Sequence, residues 1–102
     1  MRLLGLLSKK YKVNYKEIYD IGAIIIDVRT KGEFSHGNFK DSVNVPLDKI
    51  NDRIKDIKGK NKPVITVCKS GMRSGQAASA LKRNGVEAYN GGSWTSLDSK
   101  LS

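Results

Sequence analysis

At 102 residues the chain has room for one hydrophobic core and little else. Its apolar share of 38 %, with 10 Gly and 2 Pro, excludes a disordered or low-complexity chain and leaves an ordinary globular one. The net charge of +9 predicts a positive surface that draws small anions or acidic partners, but the basic residues are scattered from Arg2 to Lys100 among acidic ones.

No zinc-ligand spacing or RNA-binding aromatic pattern accompanies that charge, so neither nucleic-acid binding nor a metal or cofactor is expected. Leu3, Leu4, Leu6 and Leu7 lie between Arg2 and Lys9, too short a stretch to cross a bilayer and with no small-residue cleavage site behind it. Residues 1–12 are therefore expected to form an N-terminal extension or edge segment, with no stable membrane span. Tyr15 to Asp20 reads as a short helix or turn capped by Asn14. Ala23 to Val28 is a continuous, largely β-branched run, the pattern of a strand buried on both faces of a parallel sheet. Lys31 to Ser35 forms a brief helical turn, and His36, Gly37 and Asn38 a loop.

Val43 to Val45 reads as a second strand, stopped by Pro46, which has no N–H to give a sheet. Asp48 is the expected N-cap of the next helix, where Ile50, Ile54 and Ile57 recur on one face and Gly59 marks the end. Pro63 to Val67 is the next strand, and the polar loop Cys68 to Arg73 follows it directly. Ser74 to Asn84 reads as a helix with Ala77, Ala78 and Leu81 facing inward, Lys82 and Arg83 in its last turn, and Gly85 as its stop. Val86 to Tyr89 gives a last strand, and Gly91-Gly92 a tight turn before Trp94 and Leu97. Strands alternating with amphipathic helices predict one α/β domain over 1–102: a mostly parallel sheet of four to five short strands with helices on both faces.

The chemistry of this chain points to Cys68, its single cysteine. A lone cysteine forms no intrachain disulfide, which fits a reducing, cytoplasmic setting, or a periplasmic one if a signal segment has been removed. A cysteine at the end of a strand is in most chains a core residue. Here a polar, glycine-containing loop and then a helix follow it, which puts the positive end of the helix and a nest of backbone N–H groups near the thiol. With Lys69 and Arg73 these favour the thiolate. Ser70 and Gly71 allow the loop to curl, and Lys69 is the expected attractor of an anionic donor, with Ser70 and Met72 at the rim. Arg73 has two open roles: binding the donor, or folding back to brace the loop.

Cys68-Lys-Ser-Gly-Met-Arg73-Ser74 resembles the active loop of the rhodanese (sulfurtransferase) family. Ile26-Asp27-Val28-Arg29, Glu33-Phe34, His36-Gly37 and Ser42-Val-Asn44-Val-Pro46 resemble its upstream motifs in order and spacing, and Gly91-Gly92 with Trp94 is similar to its C-terminal signature, with a shorter gap. The likeness is strongest over 15–102. It implies a three-layer rhodanese-like domain of the single-domain type and a thiosulfate:cyanide sulfurtransferase-like enzyme. Cys68 would take a sulfane sulfur from an anionic donor such as thiosulfate as a persulfide, then pass it to cyanide, a thiol or an acceptor protein. It further implies that the loop Lys69, Ser70, Gly71, Met72, Arg73 and Ser74 cradles the sulfur, while Asp27, Arg29 and His36 support the loops.

Two other functions stay open. A sulfur-carrier or interaction module would keep Cys68 and serve a protein partner with little turnover on thiosulfate. More remote is a cysteine-dependent phosphatase or arsenate reductase. Only four residues separate Cys68 from Arg73, one fewer than the family's phosphatase loops carry, and none of the four is acidic.

Overall fold

A computed structural model describes residues 13–102; the leucine-bearing segment 1–12 lies outside the described residues. Among the described residues four parallel strands make one sheet: β1 (Ile24–Asp27), β2 (Val43–Asn44), β3 (Val64–Cys68) and β4 (Ala88–Ser93), in the order β2-β1-β3-β4. The two β-branched runs occupy the two central positions. There Ile24 pairs with Val64, Ile25 with Ile65, Ile26 with Thr66 and Asp27 with Val67. Successive side chains leave opposite faces, so a run apolar at every position needs cover on both.

The helices among the described residues are α1 (Tyr15–Asp20), α2 (Lys31–Ser35), α3 (Ile50–Gly59), α4 (Met72–Arg83) and α5 (Leu97–Lys100), and all but α2 supply that cover. On one face Ile26, Val64 and Cys68 pack with Ile50 and Ile57 of α3 and with Ala77, Ala78 and Leu81 of α4. On the other, Ile25, Ile65 and Val67 pack with Leu97 of α5 and with Tyr15, Ile18 and Tyr19 of α1. The helix-facing alanines and isoleucines are those the sequence periodicity selects, and the result is the expected helix–sheet–helix sandwich. Asn14 caps α1 as expected, its side chain accepting from the Glu17 N–H.

Three local expectations are corrected. Asp48 is not a helix cap; it lies in a 3-10 turn (Leu47–Lys49) that runs straight into α3. Pro46 starts that turn, and the Pro46 and Leu47 carbonyls accept from the N–H groups of Lys49 and Ile50, so those donors need no side-chain acceptor. The loop helix starts at Met72 rather than Ser74, because Gly71, at φ +104°, serves as its N-cap.

The glycine pair does not open a turn: β4 runs through it. Thr66 pairs with Asn90 and Val67 with Gly92, so Gly91 is an extra residue, a β-bulge. A Cβ on Gly91 would sit 2.6 Å from Ile65 Cγ2 and 2.9 Å from the Thr66 carbonyl oxygen, a closeness only glycine permits. Gly91→Ala is therefore expected to lose about 1–3 kcal/mol to overpacking in denaturant titration. Gly59→Ala, which meets nothing within 4 Å at the end of α3, should be neutral or mildly stabilising. Equal stability of the two variants would refute the bulge's packing role.

Candidate active site

From β1 the chain passes to β2 on one side, and from β2 it crosses to β3 on the other. In open α/β sheets this divergence leaves a crevice beyond the C-terminal strand ends, where ligands bind. The two strands flanking it end in Asp27 and Cys68.

Cys68 is 1 % exposed, so its thiol lies beneath the loop, while Lys69 and Ser70 are exposed and Met72 is 77 % exposed. The positive φ of Gly71 turns its N–H inward to Sγ at 3.0 Å. Ser74, in the first turn of α4, brings its N–H to 3.4 Å and its Oγ to 3.3 Å from the same sulfur. Burial alone pushes this thiol up, but hydrogen bonds from the Ser74 hydroxyl and from the Ser74, Gly71 and Ser70 amides outweigh it and hold it below the ordinary cysteine value. These contacts favour negative charge on a sulfur that burial alone would keep neutral.

Asp27 and Arg29 support the end of β1. Asp27 is fully buried, yet its carboxylate accepts from Arg29 Nε at 3.0 Å, from Nη2 at 2.7 Å and from the Arg29 backbone N–H at 2.9 Å. The guanidinium also donates to the Gly37 and Glu33 carbonyls and stacks 4.6 Å from the Trp94 ring centre. Asn44 donates to the Asp27 and Arg29 carbonyls from β2. The pair sits in the loop scaffold and holds no catalytic proton position.

Arg73 points away from the sulfur. It forks onto Glu33 of α2, Nη1 to Oε1 at 2.7 Å and Nη2 to Oε2 at 3.1 Å, so of its two open roles the geometry takes the brace. His36 is exposed at the end of α2, its Nδ1 2.8 Å from the Gly32 carbonyl oxygen of its own helix. It therefore packs onto α2 rather than onto the sulfur. Lys69, Trp94, Thr95, His36, Glu33 and Arg29 border an open depression of about 710 Å³ beside the loop, with Gly32 at its edge. Among the described residues no three His, Cys, Asp or Glu side chains gather at metal-binding spacing, and no helix is long and apolar enough to cross a membrane.

Three contributors escaped the sequence reading. Glu33 entered it only as part of a motif; it also closes a capping box with Thr30, a pattern the Thr30-Lys-Gly-Glu33 spacing carries openly. Thr66, buried on β3, sets its Oγ1 2.8 Å from the Ser74 carbonyl oxygen and steadies the first turn of α4. Asn90 reaches from β4 to both Gly71 and Ser74, and no local pattern marks it.

A strand-end cysteine ringed by loop amides on a parallel sheet makes this a cysteine-loop domain of the α/β class. The chain belongs to the Rhodanese-like domain family, which it matches over residues 12–96. It is 35 % identical to the uncharacterised protein YqhL of Bacillus subtilis, covering 83 % of this chain and 64 % of that one. It is 34 % identical to a protein named sulfurtransferase in Allochromatium vinosum, over 61 % of this chain and 57 % of that one. The chain thus spans less than two thirds of the length of either relative. The crystal structure of SSP1007 from Staphylococcus saprophyticus superposes with a TM-score of 0.69 at 30 % identity, covering 82 % of this chain and 85 % of that one.

Arg73 first, and then the Thr30 N–H, hold the Glu33 carboxyl down to about 2 from an ordinary 4.5. A carboxyl whose folded value is depressed contributes stability above its unfolded value and loses it as the pH falls through the folded one. The thermal midpoint is therefore expected to decline between pH 4.5 and about 2, and Glu33→Gln to remove part of that decline. An unchanged acid profile in the Gln variant would show that the brace is not formed in solution.

Proposed function

We propose that this chain is a sulfurtransferase that carries a sulfane sulfur on Cys68. The Cys68 thiolate attacks the outer sulfur of thiosulfate, the sulfur–sulfur bond breaks, and sulfite leaves with the electron pair. Cys68 then holds the transferred sulfur as a persulfide anion. An acceptor thiolate or cyanide attacks that terminal sulfur, leaving as a persulfide or as thiocyanate and restoring the thiolate. A persulfide donor serves the first step in the same way, releasing its thiolate.

The observation that carries this reading is the polar ring on Sγ, the Gly71 and Ser74 amides with the Ser74 hydroxyl oxygen 3.3 Å away. Fixed amides stabilise charge without having to reorganise as it develops. Lys69 at the loop and the chain's net positive charge favour an anionic donor. Because Cys68 is covered, the 68–73 loop must yield locally for a donor to reach it. Arg73 supports sulfur over phosphate or arsenate chemistry: a loop enclosing a tetrahedral dianion needs its arginine turned inward, and this one is committed to Glu33. The lone thiol fits a reducing, cytoplasmic setting.

Delivery to an acceptor protein is the second reading. It is favoured by Met72, an apolar side chain 77 % exposed at the start of α4, directly after the loop that carries Lys69. In that case transfer to small thiols and cyanide would be slow and transfer to a protein thiol fast.

Intact mass measurement after incubation with thiosulfate or a small-molecule persulfide is expected to show one added sulfur atom. Prior alkylation should block the addition, and Cys68→Ser should abolish it. A wild-type chain that takes no sulfur from either donor would end the proposal.

A further inference from the structure

The amide of Asn90 has only one workable orientation. The Gly92 N–H, 2.9 Å away, requires an acceptor, and the Gly71 carbonyl oxygen, also 2.9 Å away, requires a donor. Oδ1 must therefore face Gly92 and Nδ2 must face Gly71. With that settled, Oδ1 lies 2.6 Å from Ser74 Oγ. Two oxygens so close need a proton between them, and only the serine hydroxyl has one.

That hydroxyl oxygen is also 3.3 Å from Cys68 Sγ. One hydroxyl proton cannot serve both neighbours. With the proton on Asn90, Ser74 offers the sulfur a lone pair, and the arrangement is complete only when the thiol itself donates: S–H to Oγ, O–H to Oδ1. When Cys68 ionises, a lone pair facing the thiolate becomes repulsive. The hydroxyl then turns to the sulfur, Asn90 Oδ1 keeps only the Gly92 N–H, and the two oxygens, with no proton left between them, move apart.

We propose that the Ser74 hydroxyl is a two-position rotor, and that Asn90 is the positioning residue that sets its resting position and competes with the Cys68 thiolate for its proton. This rests on the reading that Cys68 works as a thiolate. Once a sulfur is transferred, the charge moves to the outer atom, Sγ becomes a neutral divalent sulfur, and the hydroxyl returns to Asn90. Asn90 thus favours the thiol and the persulfide over the bare thiolate between them. The bulge at Gly91 serves this arrangement by presenting the Gly92 N–H to the Asn90 side chain.

A change at Asn90 can be tested without altering any charge around the loop. Asp27 at the end of β1 and Arg29 just after it are locked to each other, as are Glu33 of α2 and Arg73 of α4. Lys69 lies in the loop, and Lys100 of α5 is tied to the Gly91 carbonyl. The single cysteine can be titrated by its thiolate ultraviolet absorbance, with no sulfur donor present, in the wild type, Asn90→Ala, Ser74→Ala and the double variant. Asn90→Ala is expected to move the ionisation midpoint to lower pH, raising the thiolate fraction roughly three- to tenfold at a pH below the midpoint, the worth of one neutral hydrogen bond.

In the Ser74→Ala background the same change should produce no such drop, since only the contacts to Gly71 and Gly92 are then lost, and neither holds a proton that the sulfur needs. A purely structural Asn90 would loosen the loop and raise the midpoint in both backgrounds. Equal shifts in the two backgrounds, or a rise in the first, would overturn the proposal. Should Asn90→Ala not fold, Asn90→Asp keeps the acceptor and is expected to raise the midpoint more with Ser74 present than without it; equal rises would overturn it as well. Failure of sulfur uptake would remove the transfer reading while leaving this coupling measured.

Discussion

The buried Asp27–Arg29 pair is the contact from which the rest of the site is positioned. A carboxylate with no solvent exposure at the end of a central strand would be strongly unfavourable alone. Arg29 compensates it through parallel donors, and its remaining donors reach α2 and the loop after it, while its face lies against Trp94 beyond β4. One guanidinium therefore ties β1, α2, the 36–38 loop and the turn after the last strand. Removing one partner of such a pair leaves an uncompensated buried charge, typically a loss of about 3–5 kcal/mol, whereas a surface ion pair contributes at most about 1.

The geometry passes from that pair to the sulfur in short steps. Arg29 and the Thr30 capping box set α2, α2 carries Glu33, Glu33 holds Arg73, and Arg73 belongs to the first turn of α4, whose amides face Sγ. The same steps settle the electrostatics. Two carboxylates near a cysteine would oppose its ionisation, but each has its own arginine, so the field at the loop is left to Lys69, the amides and the end of α4. Arg73 in this arrangement serves the sulfur by neutralising and fixing a neighbour instead of touching a substrate.

Sheet and helices were readable because they follow from local chemistry. Runs such as Ile24-Ile25-Ile26 have no polar face and must be central, and Ile50, Ile54 and Ile57 repeat at helical spacing. The cysteine loop was readable because strand, glycine loop and helix are contiguous. What escaped was whatever depends on a distant partner. A glycine pair signals a turn as readily as a bulge, and only the nearness of Ile65 and the Thr66 carbonyl to Gly91 decides between them. Glu33 and Arg73 lie 40 positions apart, and Asn90 meets Ser74 across 16. Asp48 looked like a cap because its type suits one, but the turn begun by Pro46 had already paired the donors it would have served.

The proposed sulfur transfer calls for no base. His36 is held to its own helix, and transfer of a sulfane sulfur to a thiolate moves no proton, so a base would have nothing to take after the thiol has ionised. The loop amides at Gly71 and Ser74 are set by the backbone, carry no charge and would stay in place as negative charge moved from one sulfur to the next in that transfer. Against that fixed background the Ser74 hydroxyl is the donor free to turn. In the proposed cycle the energy separating thiol, thiolate and persulfide would therefore be adjusted where a single proton has two acceptors, and the second acceptor stands on a different strand, positioned by a bulge that only glycine allows.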